Sequence, residues 1–174
     1  MVSNTTQKAR LLVAYFSYTG NTKRIAQALA ERLQKFCNVE TVEIVPTRKR
    51  CYLHWLAYSF VPGSEVDIEN PEMDLSHYDV VLVGFPKWTF SSPPLNRFIR
   101  RLKSLNKPKF YLFMTCGGFD DQSFLDRLTH KLDSMGCNIV GSLTIKRKQI
   151  QREAYYKPVD SYVERMREEI DADL

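Results

Sequence analysis

The sequence predicts a doubly wound α/β domain, an open sheet of five parallel strands with helices on both faces. Three observations lead there. Apolar runs and amphipathic helical stripes alternate from one end of the chain to the other, with no internal repeat and no low-complexity stretch. The first strand segment, RLLVAYF, is a near-continuous apolar run, as a central strand covered on both faces requires. Hydroxyl, glycine and aromatic residues gather in the turns that follow the first, third and fourth strands. Right-handed crossovers leave those turns together at the carboxyl edge of the sheet, beside its topological switch point.

Each element has its own warrant. Arg10 to Phe16 (RLLVAYF) is a buried central strand. Thr22 to Leu33 is a helix, because Ile25, Ala26, Leu29 and Leu33 fall on one face. Val39 to Val45 reads as the second strand. Residues 46–77 replace a short crossover with a longer excursion, in which Cys51, Trp55, Leu56 and Tyr58 suggest a helix ending near Pro62 and Gly63. Asp79 to Gly84 (DVVLVG) is the third strand. Pro93 and Pro94 suit a helix start, and Leu95, Phe98, Ile99 and Leu102 continue its apolar stripe. Lys109 to Met114 is the fourth strand. A helix capped by Ser123 carries Phe124, Leu125, Leu128, Leu132 and Met135, and Gly136 ends it. Asn138 to Ile145 makes the fifth strand and Val159 to Ile170 a closing helix.

Composition narrows the function classes. With 174 residues, 44% of them hydrophobic and 26% charged, the expectation is one domain spanning residues 1–174. No run approaches the roughly 18 apolar residues of a membrane span, and MVSNTTQKAR is no secretory leader. A soluble, cytoplasmic protein is expected. Four scattered cysteines and three histidines lack metal-ligand spacing, so the expectation is reduced thiols and no metal site. The excess of 25 basic over 20 acidic residues is mild. The runs Arg48-Lys49-Arg50 and Lys146-Arg147-Lys148 read as solvated surface, and no nucleic-acid partner is expected.

The chemistry sits in the three turns. Ser17, Tyr18, Thr19, Gly20, Asn21 and Thr22 place hydroxyls, an amide and a tight-turn glycine at a helix N-terminus, where unpaired N–H groups point outward. A single cap needs one such residue, so five in six positions point to a phosphate nest. Lys23 and Arg24 oppose the helix dipole there, which a bound dianion would offset. Neither G-x-x-x-x-G-K-[ST] nor G-x-G-x-x-G is present, which disfavours ATP and a Rossmann dinucleotide site. After the third strand, Pro86, Lys87, Trp88, Thr89 and Phe90 offer an aromatic wall for a flat ring. After the fourth, Thr115, Cys116, Gly117 and Gly118, followed by Phe119, offer close backbone approach to the ring's edge. Cys116 has no nearby base in sequence and reads as a lining residue.

LLVAYFSYTGNT resembles the phosphate loop of the flavodoxin-like family, and VGFPKW with its Pro-Pro continuation resembles the same family's ring loop. The resemblance implies strand order 2-1-3-4-5, FMN as cofactor, and Ser17 to Thr22 around its phosphate. It also implies electron transfer through the flavin. The cofactor would do the redox chemistry, so no catalytic side chain is named. Thr89 departs from the glycine that often follows the ring-stacking aromatic, which weakens the expectation of a stabilised half-reduced flavin. Three functions stay open: a carrier serving a redox partner protein, an NAD(P)H-dependent reductase of a small quinone-type acceptor or free flavin, and a non-redox module for a phosphorylated ligand. Exposed aromatics around residues 51–60 leave monomer or homodimer open. Tyr52, His54 and Trp55 are expected to border the flavin or a partner surface.

Overall fold

A computed structural model describes residues 8–118 and 121–172. Phe119, grouped above with the fourth-strand turn, lies outside the described residues. Five strands form one parallel sheet: β1 Arg10–Tyr15, β2 Asn38–Glu43, β3 Val80–Pro86, β4 Lys109–Cys116 and β5 Asn138–Lys146. Their order is 2-1-3-4-5, with every neighbour parallel.

Strand periodicity sorts the core into two faces. Leu11, Val13, Tyr15, Val80, Leu82, Tyr111 and Phe113 point to one side, packed by α1 (Asn21–Leu33) and the C-terminal helix Tyr156–Asp171. Leu12, Ala14, Phe16, Val81, Val83, Phe85, Phe110, Leu112 and Met114 point to the other. That side is covered by Pro93–Arg100 and Asp121–Ser134, with the short helix α2 (Tyr52–Ser59) beyond. In chain order these helices are α3 (Pro93–Arg100), α4 (Asp121–Ser134), α5 (Arg147–Gln151) and α6 (Tyr156–Asp171).

Three local expectations change. α4 begins at Asp121, so Ser123 lies within its first turn and is not its cap. The helix α5 follows β5 directly, and α6 starts at Tyr156. Five residues are too few to show a helical period, which is why α5 escapes a sequence reading. Residues 46–77 are tied down at both ends. Pro46 and Ile68 form an antiparallel bridge, the Thr47 amide donates to the Asp67 carbonyl (3.0 Å), and Met73–Asp74 pairs with Leu102–Lys103. Among the described residues no helix is long and apolar enough to cross a membrane, and no His, Cys, Asp or Glu group could hold a metal ion.

Candidate functional site

β1 and β3 are the strands between which the sheet's order reverses, and the turns beyond them build the site. The Phe16 amide donates to the Gly84 carbonyl (2.9 Å), holding the two strand ends together. Gly20 is the N-cap of α1 at φ +84° and ψ −13°. That left-handed conformation is why glycine stands there, and the space a Cβ would occupy is empty. No side chain caps α1, so its first amides keep their donor capacity. The Ser17 hydroxyl is buried and has no hydrogen-bond partner among the described residues. A buried unsatisfied hydroxyl at an uncapped helix N-terminus is costly unless an acceptor comes to it.

The first and third turns are coupled. Thr22 and Thr115 are buried, and their hydroxyls share a hydrogen bond of 2.8 Å. Thr22 is therefore a strut as well as a lining residue. Around this pair lies a cleft of about 40 Å³, lined by Tyr18, Thr19, Asn21, Pro86, Lys87, Trp88, Cys116 and Gly117. Gly117 leaves open space at its Cβ position, and Gly118 adopts φ +100° against the Lys146 side chain.

Aromatic rings crowd the upper wall. Trp88 meets Tyr18 edge-on at 6.2 Å and Phe16 edge-on at 5.6 Å, and it stacks on Trp55 of α2 at 5.7 Å and 27°. Tyr52 leans on Tyr18 at 6.1 Å. Tyr52 lines the cleft, Trp55 reaches it only through its stack on Trp88, and His54 stacks on Tyr58 (4.6 Å) further out.

Phe90 goes elsewhere. Its amide donates to the Ser59 carbonyl (2.9 Å), and the hydroxyls of Thr89 and Ser59 share a bond of 2.7 Å. The loop turns there, so Phe90 is 52% exposed, lies edge-on to Phe60 at 6.2 Å, and lines a different cavity with Leu95 and Phe124. Thr89 likewise faces α2 through Ser59.

Lys23 and Arg24 are also engaged away from the turn. Lys23 binds Glu43 (2.7 Å), and that hydrogen bond holds its ammonium above the ordinary lysine range. Arg24 binds Glu153 (2.5 Å) and donates to the Tyr155 hydroxyl (3.1 Å). The dipole reading of these two cations fails because acidic partners from β2 and the α5–α6 connection claim them. In their place the fold supplies Arg147 of α5, which lines the cleft together with Ile150. The Lys146-Arg147-Lys148 run, read above as solvated surface, held the missed signal, since it falls at the carboxyl end of the last strand.

The fold and this edge define the class, a doubly wound α/β domain whose switch point carries a hydroxyl- and glycine-rich turn. The chain belongs to the flavodoxin family, which residues 10–142 match. It is 31% identical over 140 residues to an uncharacterised protein of Archaeoglobus fulgidus, covering 79% of this chain and 86% of that one. A flavoprotein structure from Bacteroides uniformis superposes with a TM-score of 0.67 at 24% identity, covering 85% of this chain and 99% of the other. A flavoprotein from Lactobacillus acidophilus, solved in complex with FMN, gives 0.61 at 17% identity, over 83% and 97% of the two chains.

Proposed function

We propose that this protein binds FMN non-covalently, phosphate first, in the turn from Ser17 to Thr22, and passes electrons through the flavin. The single observation carrying the proposal is the partnerless, buried Ser17 hydroxyl beside an uncapped α1 N-terminus opened by Gly20. A phosphate monoester would satisfy both the hydroxyl and the amides. The FMN-bound relative from Lactobacillus acidophilus supports the choice of ligand.

When bound, the flavin supplies the redox chemistry. This chain's residues do the rest. Ser17, Thr19 and Asn21 bind the phosphate, the Thr22–Thr115 pair fixes the phosphate turn against the fourth-strand turn, and Gly117 admits close backbone approach. The cleft is large enough for a phosphate but not for a three-ring system, so seating the ring requires Trp88 or Tyr18 to turn aside. Trp88 then walls the ring and helps exclude water.

The partner is a redox protein with an acidic face, matched to the net charge of +5. A second reading has its own support. The Thr89–Ser59 hydroxyl bond and the Phe90 amide bond hold the ring loop in one conformation. A fixed loop favours paired-electron exchange, as in an NAD(P)H-dependent reductase of a quinone-type acceptor. Steady NAD(P)H oxidation with a quinone would select that reading.

The test is FMN titration of Thr19→Glu against the wild type. A carboxylate placed against the phosphate should weaken binding by about a hundredfold or more. Lys35→Glu, exposed at the far end of α1, should leave it unchanged. Equal affinity in Thr19→Glu and wild type would refute the placement.

A further inference from the structure

Beyond Trp55, two cavities of about 610 and 750 Å³ meet along segment 46–50. They share Pro46, Thr47, Arg48, Arg50 and Trp55, and so form one trough. One end reaches Ser17 and Tyr18, and the other reaches Arg97 and Arg101 of the α3 region. Its wall is held by the Pro46–Ile68 bridge and the hydrogen bonds either side of it. Cavities of this size lie within the range of small-molecule sites, about 300–1,000 Å³.

The charges lining the trough do not balance. Glu43 is taken by Lys23, Glu65 by Arg97 and Arg100, and Asp67 by Arg97. Of the carboxylates, Glu69 alone has no ion pair among the described residues. Against it stand Arg48, Lys49 and Arg50, none of them within ion-pair distance of a described carboxylate. Arg50 instead lies over the Tyr58 ring at 5.9 Å, and the buried Nε of Arg97 has no acceptor among the described residues. Guanidinium groups beside aromatic faces match phosphate oxygens and a flat ring on one ligand.

We propose that this trough is a second ligand site, for a phosphorylated aromatic small molecule of nucleotide type, with its phosphates on Arg48 and Arg50 and its ring beside Tyr58. A small molecule is favoured over a nucleic acid because these cations, of which Arg48 and Lys49 are exposed, gather at one trough beside the Trp55 and Tyr58 rings. The trough adjoins the flavin turn at Ser17 and Tyr18, whereas the residues assigned to the second ligand, Arg48, Arg50 and Tyr58, lie outside that turn.

The probe is ADP, titrated calorimetrically into the full chain with and without saturating FMN. One ADP should bind in both cases. The double variant Arg48→Glu/Arg50→Glu should weaken ADP at least about tenfold while keeping FMN affinity. Thr19→Glu should do the reverse. Should the double variant fail to fold, wild-type salt dependence decides: ADP affinity must fall as NaCl rises from about 0.05 to about 0.5 M. No binding of ADP would overturn the proposal, as would salt-independent binding or ADP lost in Thr19→Glu but kept in Arg48→Glu/Arg50→Glu. Inorganic pyrophosphate binding as tightly as ADP would overturn the aromatic half, and a short RNA outcompeting ADP would reassign the trough to nucleic acid. FMN failing to bind while ADP behaves as described would refute the flavin reading alone.

Discussion

Gly84 pairs with Phe113 across β3 and β4, and its missing side chain is what lets that ring lie flat in the core. A Cβ at Gly84 would stand 1.8 Å from the Phe113 ring, far inside contact distance. Gly84→Ala should therefore cost about 3 kcal/mol or more, the upper part of the overpacking range. Urea unfolding would measure it, and Phe113→Leu in the same chain should recover part of the loss. A stability within error of wild type would contradict this packing. Burial also sets the thiols apart. It pushes Cys37 and Cys137 up to about 11, with Asp171 and Asp133 adding to the respective shifts, whereas Cys51 is exposed. Maleimide at pH 8 should label Cys51 in the native protein and reach Cys37 and Cys137 only after unfolding. The unfolded chain releases these two protons near pH 9 and the native chain near 11, so the unfolded state loses protons first. Stability should fall between those values and level off above them. A urea midpoint that rises over that window would reverse the sign.

At the scale of elements, α2 supports Trp88, the proposed ring wall. Trp55 is buried and stacks on Trp88, which is itself only partly covered. Trp55→Ala should cost about 3–5 kcal/mol in urea unfolding, as large-to-small changes of buried aromatics do. Trp88→Ala should cost less stability but more FMN affinity, and binding of FMN to the wild type should change tryptophan fluorescence as the stack opens. If Trp88→Ala binds FMN as the wild type does, Trp88 is no part of the ring seat. Much of this was legible in the sequence. The helical spacing of Trp55, Leu56 and Tyr58 placed α2, and the Pro93–Pro94 pair placed the start of α3. The rest depended on partners distant in the chain. Nothing local to Lys23 or Arg24 announces Glu43 or Glu153, and nothing local to Phe90 announces that Ser59 will turn its loop outward. The turn residues could be read because a helix N-terminus after a buried strand carries its own chemistry. The cations could not, because charge pairing is set by tertiary contact.

For the molecule as a whole, five strand segments interleaved with helices were enough to fix the sheet and the edge where its turns converge. Strand order came from family resemblance, since periodicity says which segments are strands and not which are neighbours. The function proposed for the three turns requires that the first of them hold a phosphate. Comparing FMN with riboflavin, the same ring without the phosphate, isolates that grip. Two or more charge-assisted hydrogen bonds at roughly 1.5–3 kcal/mol each should make FMN bind at least about a hundredfold more tightly. Equal dissociation constants for the two flavins, measured by fluorescence quenching on the same preparation, would contradict the account.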